Sequence, residues 1–220
     1  MTKKEVHVII PLVEGDTEVE FYKKIRSILL NKHPKNGNYE FLSPINIKGI
    51  GNFKCRASRQ FTHAVESFQK DQKKETRQKR QKNEPKIKYH YHAFMCIDTD
   101  VLDSSPNPAK FCQKPPINEE DTKKSIEERD GIPHFIKAVH SIEDWFLEDP
   151  NGIKKYLGIS KFPKLSNNQS GAEKLTVLFK TGNKVYTKGT SCKNFVDYLD
   201  INLILSNHST DFNDLVQLIK

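Results

Sequence analysis

A chain of 220 residues is long enough for one α/β domain with a proper core and a small helical appendage, but two full domains would be tight. With 35% hydrophobic and 29% charged residues it is too polar for a membrane protein. No apolar run approaches the ~20 residues needed to cross a bilayer, and no signal peptide precedes the first strand pattern, so we expect a cytoplasmic protein without a membrane partner. The net charge of +8 favours a polyanionic partner but does not establish one.

The first third of the chain predicts a strand, a helix and a second strand. Residues Glu5–Val13 are rich in β-branched side chains, and an amphipathic helix follows, with Thr17-x-x-Glu20 available as a capping box. A second strand is predicted at 41–47. The glycines of the next loop, Lys48–Asn52, permit backbone amides to approach a phosphate, but a plain turn is favoured.

A helix predicted over 57–74 leads into a strongly basic stretch. Between Gln69 and Lys88 lie nine basic and three acidic residues with almost no apolar positions, so this stretch cannot be core. A solvated helix end with a linker and a phosphate-binding arm are both compatible with it. As an arm, it is expected near the carboxyl edge of the sheet, because it lies in sequence between the second and third predicted strands. Its candidate nucleic-acid-binding residues are Lys70, Lys73, Lys74, Arg77, Lys79, Arg80 and Lys82.

The rest of the chain alternates strand and helix. The clearest strand, 92–97, is a nearly continuous apolar run, as in a central parallel strand covered on both faces. A proline-rich loop, a polar helix at 118–129 and a fourth strand at 132–139 follow. Further helices are predicted at 142–147, 172–179, 192–205 and 212–219.

This alternation predicts an α/β fold: a parallel sheet of about four strands with helices on both faces, plus C-terminal helices. We assign 1–160 to the catalytic core, with 69–88 as a basic insert. Residues 161–220 form a C-terminal helical extension packed on that core.

Two histidines in the third predicted strand are candidate metal ligands. His90 and His92 can face one side of the strand and permit a metal site with Cys96. No matching second ligand pair is visible, which favours two polar residues opening a buried strand.

Acidic residues collect where the parallel strands end. Glu14 ends the first strand, Asp98 and Asp100 end the third, Glu143 follows the fourth, and Glu18 lies one helical turn after Glu14. Ligand sites of open parallel sheets lie beyond the carboxyl ends of the strands. Clustered carboxylates with neither imidazole nor thiolate suit Mg²⁺, with Mn²⁺ as an alternative. Taken alone, Asp98 and Asp100 are also compatible with a hydrogen-bonded turn.

These residues carry a resemblance. The segment 13–18, VEGDTE, resembles the EGxTE motif of Toprim domains, and Asp98-Thr99-Asp100 resembles their DxD motif. Small stand-alone Toprim-like (RloB-like) proteins of bacterial defence loci, and nucleases of the overcoming-lysogenisation-defect family, are most similar. A segment like 141–147, SIEDWFL, and a Tyr-x-Lys like Tyr186-Thr187-Lys188 recur there. The resemblance covers roughly residues 5 to 190, and the insert at 69–88 and the proline-rich loop are longer than a minimal Toprim core.

The resemblance implies a role for each acid. Glu14 holds a metal or acts as general acid/base, Asp98 and Asp100 hold Mg²⁺ against the scissile phosphate, and Glu18 and Glu143 complete a second metal site. Lys188 stabilises the charge of the transition state or is one surface lysine among many. Trp145 stacks on a base or, as its helical stripe favours, anchors the core.

The expected function is that of a Mg²⁺-dependent endonuclease on DNA or RNA, the effector of an anti-phage system. The chain lacks room for the tyrosine domain of a topoisomerase and shows no zinc module of a primase. A nucleotidyl transferase or phosphohydrolase on small nucleotides, and a non-catalytic module that binds nucleic acid or a partner, remain alternatives. An ABC-type ATPase partner is implied by the resemblance, the chain itself has no Walker motif, and an oligomer is compatible with the sequence.

Overall fold

The computed structural model of this chain describes residues 4–34, 37–49, 53–79, 87–99, 117–189 and 192–220, without the side chains of 53–54 and 75–79. The predicted proline-rich loop, Asp100, Arg80 and Lys82 therefore lie outside the described residues, as do the side chains of Arg77 and Lys79. Within the described ranges, no helix combines the length and the apolar character needed to cross a lipid bilayer.

The described residues form one five-stranded parallel sheet. Its strands are β1 (Lys4–Val13), β2 (Tyr39–Phe41), β3 (Ile45–Asn46), β4 (Ile87–Asp98) and β5 (Gly131–Ala138). The order is β2-β1-β4-β5, and β3 pairs with β1 beside β2. Every pairing is parallel, which confirms the predicted fold class.

The second predicted strand is two short strands rather than one. Leu42 still donates its backbone N–H to Ile9, but Pro44, between β2 and β3, has no N–H to give to the ladder. Strand β4 begins five residues before the predicted 92–97 because its alternating Tyr and His residues extend the pairing with β1.

Nine helices surround the sheet in the described ranges. They are α1 (Asp16–Lys32), α2 (Phe53–Lys79), α3 (Glu119–Glu127), α4 (Ile142–Phe146), α5 (Pro150–Leu157), α6 (Gly171–Thr181), α7 (Cys192–Val196), α8 (Ile201–Asn207) and α9 (Asn213–Ile219). The sequence analysis missed α5, although Asp149 caps its start by accepting from the Gly152 N–H and Gly158 ends it with φ of 68°.

The helix predicted over 192–205 is interrupted. It ends with α7 and resumes with α8, where the Asp200 carboxylate accepts from the N–H groups of Asn202 and Leu203. Asp200 therefore acts as an N-cap, a role that competes with its place in a continuous helix.

Each face of the sheet has its own core. On one face, Ile9 and Val13 of β1 and Phe94 of β4 pack with α1 and with the helices from α4 to α9. On the other, alternate residues such as Ile10 and Met95 pack with α2 and α3. The helices after residue 160 share their core with the sheet and α1, so they contribute directly to the support of the sheet's carboxyl edge.

Candidate active site at the carboxyl edge of the sheet

The two strands that end in predicted acids are neighbours. Strands β1 and β4 pair along their whole common length, and the register places Val13 opposite Cys96. Glu14 follows Val13 directly, and Asp98 closes β4 two residues beyond Cys96. Both acids therefore lie at the carboxyl edge of adjacent central strands, where open α/β sheets bind their ligands.

Asp98 connects the sheet to α4. The side chain is buried, and its Oδ1 accepts a hydrogen bond of 2.9 Å from the backbone N–H of Ile142, at the start of α4. Tyr22 of α1 lies close by: burial raises its pKa well above the ordinary value, and a hydrogen bond with Cys96 and the charges of Asp98 and Glu18 act in the same direction. The Tyr22 phenol is thus neutral and forms part of the buried floor of the site.

Glu143 is the most buried acid of the site. Its side chain has no exposed surface, and its Oε1 accepts from the Tyr186 hydroxyl at 3.0 Å and lies 3.1 Å from Nζ of Lys188. The second oxygen, Oε2, is buried and has no hydrogen-bond partner among the described residues. Burial, followed by the charge of Glu143, raises the pKa of Tyr186, so this phenol remains a neutral donor.

Lys188 is the cation that faces this group of acids. Burial alone would lower its pKa, but the charge and hydrogen bond of Glu143 outweigh burial and raise it. Asp98 and Glu18 act in the same direction, so both carboxylates lie within electrostatic reach of the Lys188 ammonium group. The structure therefore brings together four predicted site residues from four parts of the chain: Glu18, Asp98, Glu143 and Lys188.

Glu18 adds to the excess of negative charge. Burial raises the pKa of its carboxyl and the charge of Glu143 adds to the shift, while hydrogen bonds from the backbone of Glu18 and Gly15 oppose it. Its Oε2 would lie 3.0 Å from a Cβ atom built on Gly15, so glycine leaves room for this carboxylate at the helix start.

The predicted capping box at Thr17 and Glu20 is wrong. Helix α1 begins at Asp16 with Gly15 as N-cap, so Thr17 lies inside the first turn. Its buried hydroxyl accepts instead from the backbone N–H of Gly189, at 2.8 Å. Because Gly189 directly follows Lys188, this bond ties the segment that carries Tyr186 and Lys188 to α1, a role that sequence spacing alone did not reveal.

The glycine-containing loop after β3 runs beside Glu14. Gly49, with φ of 93°, donates its N–H to the Glu14 carbonyl oxygen at 3.0 Å, so this amide serves the turn, as the sequence favoured. Arg56 holds the loop through bonds from Nη1 to the carbonyl oxygens of Ile47 and Lys48. The exposed Lys48 is thereby fixed at the carboxyl edge, a basic neighbour that the sequence analysis missed.

The basic stretch does not begin near this edge, contrary to expectation. Gln69 donates to the hydroxyl of Tyr91, and Gln72 accepts from that of Tyr89, so this part of α2 lies beside the first half of β4. Tyr91 precedes Asp98 by seven residues, or roughly 23 Å of extended strand. Helix α2 has 27 residues and extends about 40 Å, so its end lies at the opposite edge of the sheet. Of its candidate nucleic-acid-binding residues, Lys70, Lys73 and Lys74 have described side chains, and all three are exposed.

Two further residues have the structural roles that the sequence favoured. Trp145 is 1% exposed and stacks on His208 with ring centroids 4.4 Å apart, so it anchors the core and is not available to a base. His92 bonds to His7 and His134, whereas the Cys96 thiol bonds to the Phe94 carbonyl oxygen, so these residues form no joint metal site.

Across the described residues, no group of three or more His, Cys, Asp or Glu side chains has the geometry to hold a metal ion. Asp100, the third acid of the expected set, lies outside those residues. No protein-family model matches the chain, and neither a curated protein nor a solved structure is significantly similar to it.

Proposed function

We propose that this chain is a Mg²⁺- or Mn²⁺-dependent Toprim-type endonuclease that cuts phosphodiester bonds of DNA or RNA as the effector of a bacterial anti-phage system. The observation that carries the proposal is the convergence of Asp98, Glu143 and Glu18 on Lys188 at the carboxyl edge of a parallel sheet. Acidic clusters with one lysine at such an edge suit phosphoryl chemistry, in which charge must be stabilised on a phosphate.

The donor chemistry of the site fits Mg²⁺. All the acids offer oxygen ligands, and Glu143 has a buried Oε2 atom without a hydrogen-bond partner among the described residues. Mg²⁺ usually takes only one or two carboxylates and completes its coordination with water and substrate phosphate, so a preformed cage of three acids is unnecessary. Asp98 and Asp100 would hold one ion with Glu14, and Glu18 and Glu143 a second.

When bound, the metal would supply Lewis-acid activation of the scissile phosphate. The chain's own residues have separate tasks. Asp98 fixes the start of α4 and so positions Glu143, while Tyr186 and Lys188 orient the Glu143 carboxylate. The Lys188 side chain is 61% exposed and its ammonium group contacts Glu143, so it can reach both the acids and a phosphate oxygen that gains charge.

The test is an assay of purified protein on closed circular plasmid, single-stranded DNA, transfer RNA and free nucleotides, with Mg²⁺, Mn²⁺ or EDTA. We expect internal cuts in at least one polymer, none in EDTA and no reaction with free nucleotides. Asp98→Asn should abolish cutting and keep the fold, since an asparagine Oδ1 still accepts from Ile142. The matched control is Asp130→Asn, at an exposed turn with φ of 56° that asparagine tolerates.

Each alternative predicts a different result. Hydrolysis or transfer on free nucleotides alone would favour the small-nucleotide enzyme, and metal-independent binding without cutting would favour the non-catalytic module. Full activity of Asp98→Asn would refute the site. The defence role rests on the resemblance, and is tested by phage plaque counts on cells that carry the native locus with or without Asp98→Asn.

A further inference from the structure

Three histidines on neighbouring strands form a hydrogen-bonded chain at the other end of the sheet. His7 of β1 contacts His92 of β4 (Nδ1 to Nε2, 2.9 Å), and His92 contacts His134 of β5 (Nδ1 to Nε2, 3.0 Å). His134 then contacts Asp214 of α9 (Nδ1 to Oδ2, 3.0 Å). We call these four residues the histidine ladder. His92 precedes Asp98 by six residues, roughly 20 Å along the strand, so the ladder is separate from the acidic site.

The carboxylate of Asp214 fixes the direction of the hydrogen bonds. A carboxylate only accepts, so His134 must hold a proton on Nδ1, and in a neutral ring its Nε2 is then an acceptor. His92 must therefore donate from Nδ1, which leaves its Nε2 to accept from Nδ1 of His7. In the neutral ladder all three rings are Nδ1–H tautomers.

The ladder can take up one proton without losing a hydrogen bond. A proton from solvent binds Nε2 of His7, the Nδ1 proton of His7 moves to Nε2 of His92, and the Nδ1 proton of His92 moves to Nε2 of His134. His134 then carries both protons and the positive charge next to Asp214. His92 and His7 remain neutral as Nε2–H tautomers, and both bonds between rings run in the opposite direction.

A second proton would break the ladder. It would have to enter His92 or His7, and an N–H group would then face another N–H group. The electrostatics agree: burial, then the neighbouring His134, His7 and His90, lower the pKa of His92 to about 3. Burial, then His90, also lower the pKa of His7, against the charge of Glu5.

Among the described residues, the other charged groups in contact with the ladder lie at its His7 end. His90 stacks on His7 with centroids 5.3 Å apart, and its Nε2 is 3.6 Å from Oε1 of Glu5, which is 3.7 Å from Nζ of Lys88. Phe94 stacks on His134 at 4.5 Å and carries no charge. Asp214 is therefore the carboxylate next to His134, and the extra charge is held there.

We propose that the histidine ladder is a single-proton switch, in which one proton held at His134 reverses the tautomers of His92 and His7 and turns the hydrogen bond between His134 and Asp214 of α9 into an ion pair. The switch is a property of the fold and does not depend on the proposed nuclease activity.

The test is ¹⁵N NMR of histidine-labelled protein between about pH 8 and pH 5, with rings assigned by single His→Gln variants. We expect three Nδ1–H rings at the alkaline end. On acidification His134 should become an imidazolium, and His7 and His92 should change to Nε2–H tautomers at the same midpoint while staying neutral. Amide exchange in α9, corrected for its intrinsic pH dependence, should slow by about two- to fivefold, as for one exposed ion pair.

Two variants sharpen the test. Asp214→Asn should abolish the coupled change of tautomers, because an amide can donate to Nδ1 of His134 and no longer fixes the direction; its side chain is 64% exposed, so the fold should tolerate the change. Glu5→Gln, at the other end, should leave the coupled change intact. Three histidines that titrate independently, or Nε2–H rings throughout, would overturn the proposal.

Discussion

Nζ of Lys188 lies 3.1 Å from Oε1 of Glu143, and the exposure of the two side chains is opposite: 61% for the lysine and none for the glutamate. The ammonium group therefore reaches in from solvent to a charge that has no contact with water. A buried carboxylate depends on its partners because desolvation penalises the charge, and this one has Lys188 and the Tyr186 hydroxyl.

Removal of the lysine charge should destabilise the protein. We expect Lys188→Met to lower the free energy of unfolding by about 1–3 kcal/mol, since it leaves Glu143 buried without its cation. The double variant Lys188→Met/Glu143→Gln should recover most of this loss, because no buried charge remains. Urea unfolding of both single variants and the double variant gives the coupling energy. Additive effects would mean that the pair does not interact in solution.

The bond from Gly189 to Thr17 should matter for the position of Lys188. Thr17→Val keeps the shape but removes the acceptor, and we expect a stability loss of about 0.5–1.5 kcal/mol with faster amide exchange over 185–189. If the site is catalytic, the rate of cleavage should fall by more than the loss of folded protein accounts for. Thr17→Ser, which keeps the hydroxyl, should restore both. Equal behaviour of the valine and serine variants would assign Thr17 to packing alone.

Glu18 should make stability depend on pH in an unusual direction for an acid. Its pKa in the folded protein is raised above the ordinary 4.5, chiefly by burial. The folded state thus prefers the protonated form of Glu18. The contribution of this preference to the free energy of unfolding is fully present below about pH 4.5 and is lost as pH rises through the pKa of the folded state. Relative to wild type, Glu18→Gln should gain stability between acidic and neutral pH.

Melting curves of wild type and Glu18→Gln from acidic to neutral pH measure this difference. Glu20→Gln is the matched control, since Glu20 lies on the same helix and pairs with Lys23 outside the acidic site. Mg²⁺ should reduce the advantage of Glu18→Gln if Glu18 is a ligand, because a bound cation favours the carboxylate. A stability difference that does not change with pH would mean that Glu18 is solvated.

Composition and periodicity within a short segment were enough to predict the buried strands of the sheet. The β-branched run before Glu14 and the apolar run before Asp98 specify buried strands, and acids that end parallel strands must lie at one edge of the sheet. The positions of Lys188 and Thr17 could not be predicted in this way. Their contacts join parts of the chain more than 40 residues apart, and a single sequence does not contain the path between them.

The histidine ladder depends on tertiary structure for the same reason. His7, His92 and His134 meet only because β4 lies between β1 and β5. The spacing of these histidines in the sequence does not predict that order of strands. The basic stretch was placed at the wrong edge because its position between two strands was taken to put it beside the acids. In a sheet whose strands are parallel, the segment that leads into the next strand returns to the opposite edge, and α2, with 27 residues against the 18 predicted, ends there.

The position of the basic helix makes a prediction about substrate length. Lys70, Lys73 and Lys74 are exposed on the part of α2 beside the first half of β4, roughly 23 Å from Asp98 along the strand. If the acidic site cuts a duplex, as proposed, that duplex must extend about seven base pairs from the cut to reach them, at 3.4 Å per base pair. If all three contact phosphates, their replacement by glutamine should reduce the slope of log binding constant against log salt by roughly 2.7 on a long duplex.

The same triple variant should bind a hairpin of about five base pairs as wild type does, because so short a duplex cannot extend from the acidic site to α2. Lys48→Gln, at the carboxyl edge beside Glu14, should weaken binding of both substrates, since residue 48 lies at the edge from which either duplex would extend. Fluorescence anisotropy across a salt series, with Ca²⁺ in place of Mg²⁺ to prevent cutting, measures both slopes. A triple variant with an unchanged slope on the long duplex would assign the helix end to solvent or to a protein partner. Equal losses on both duplexes would instead mean that the substrate enters along α2 and not from the acidic edge.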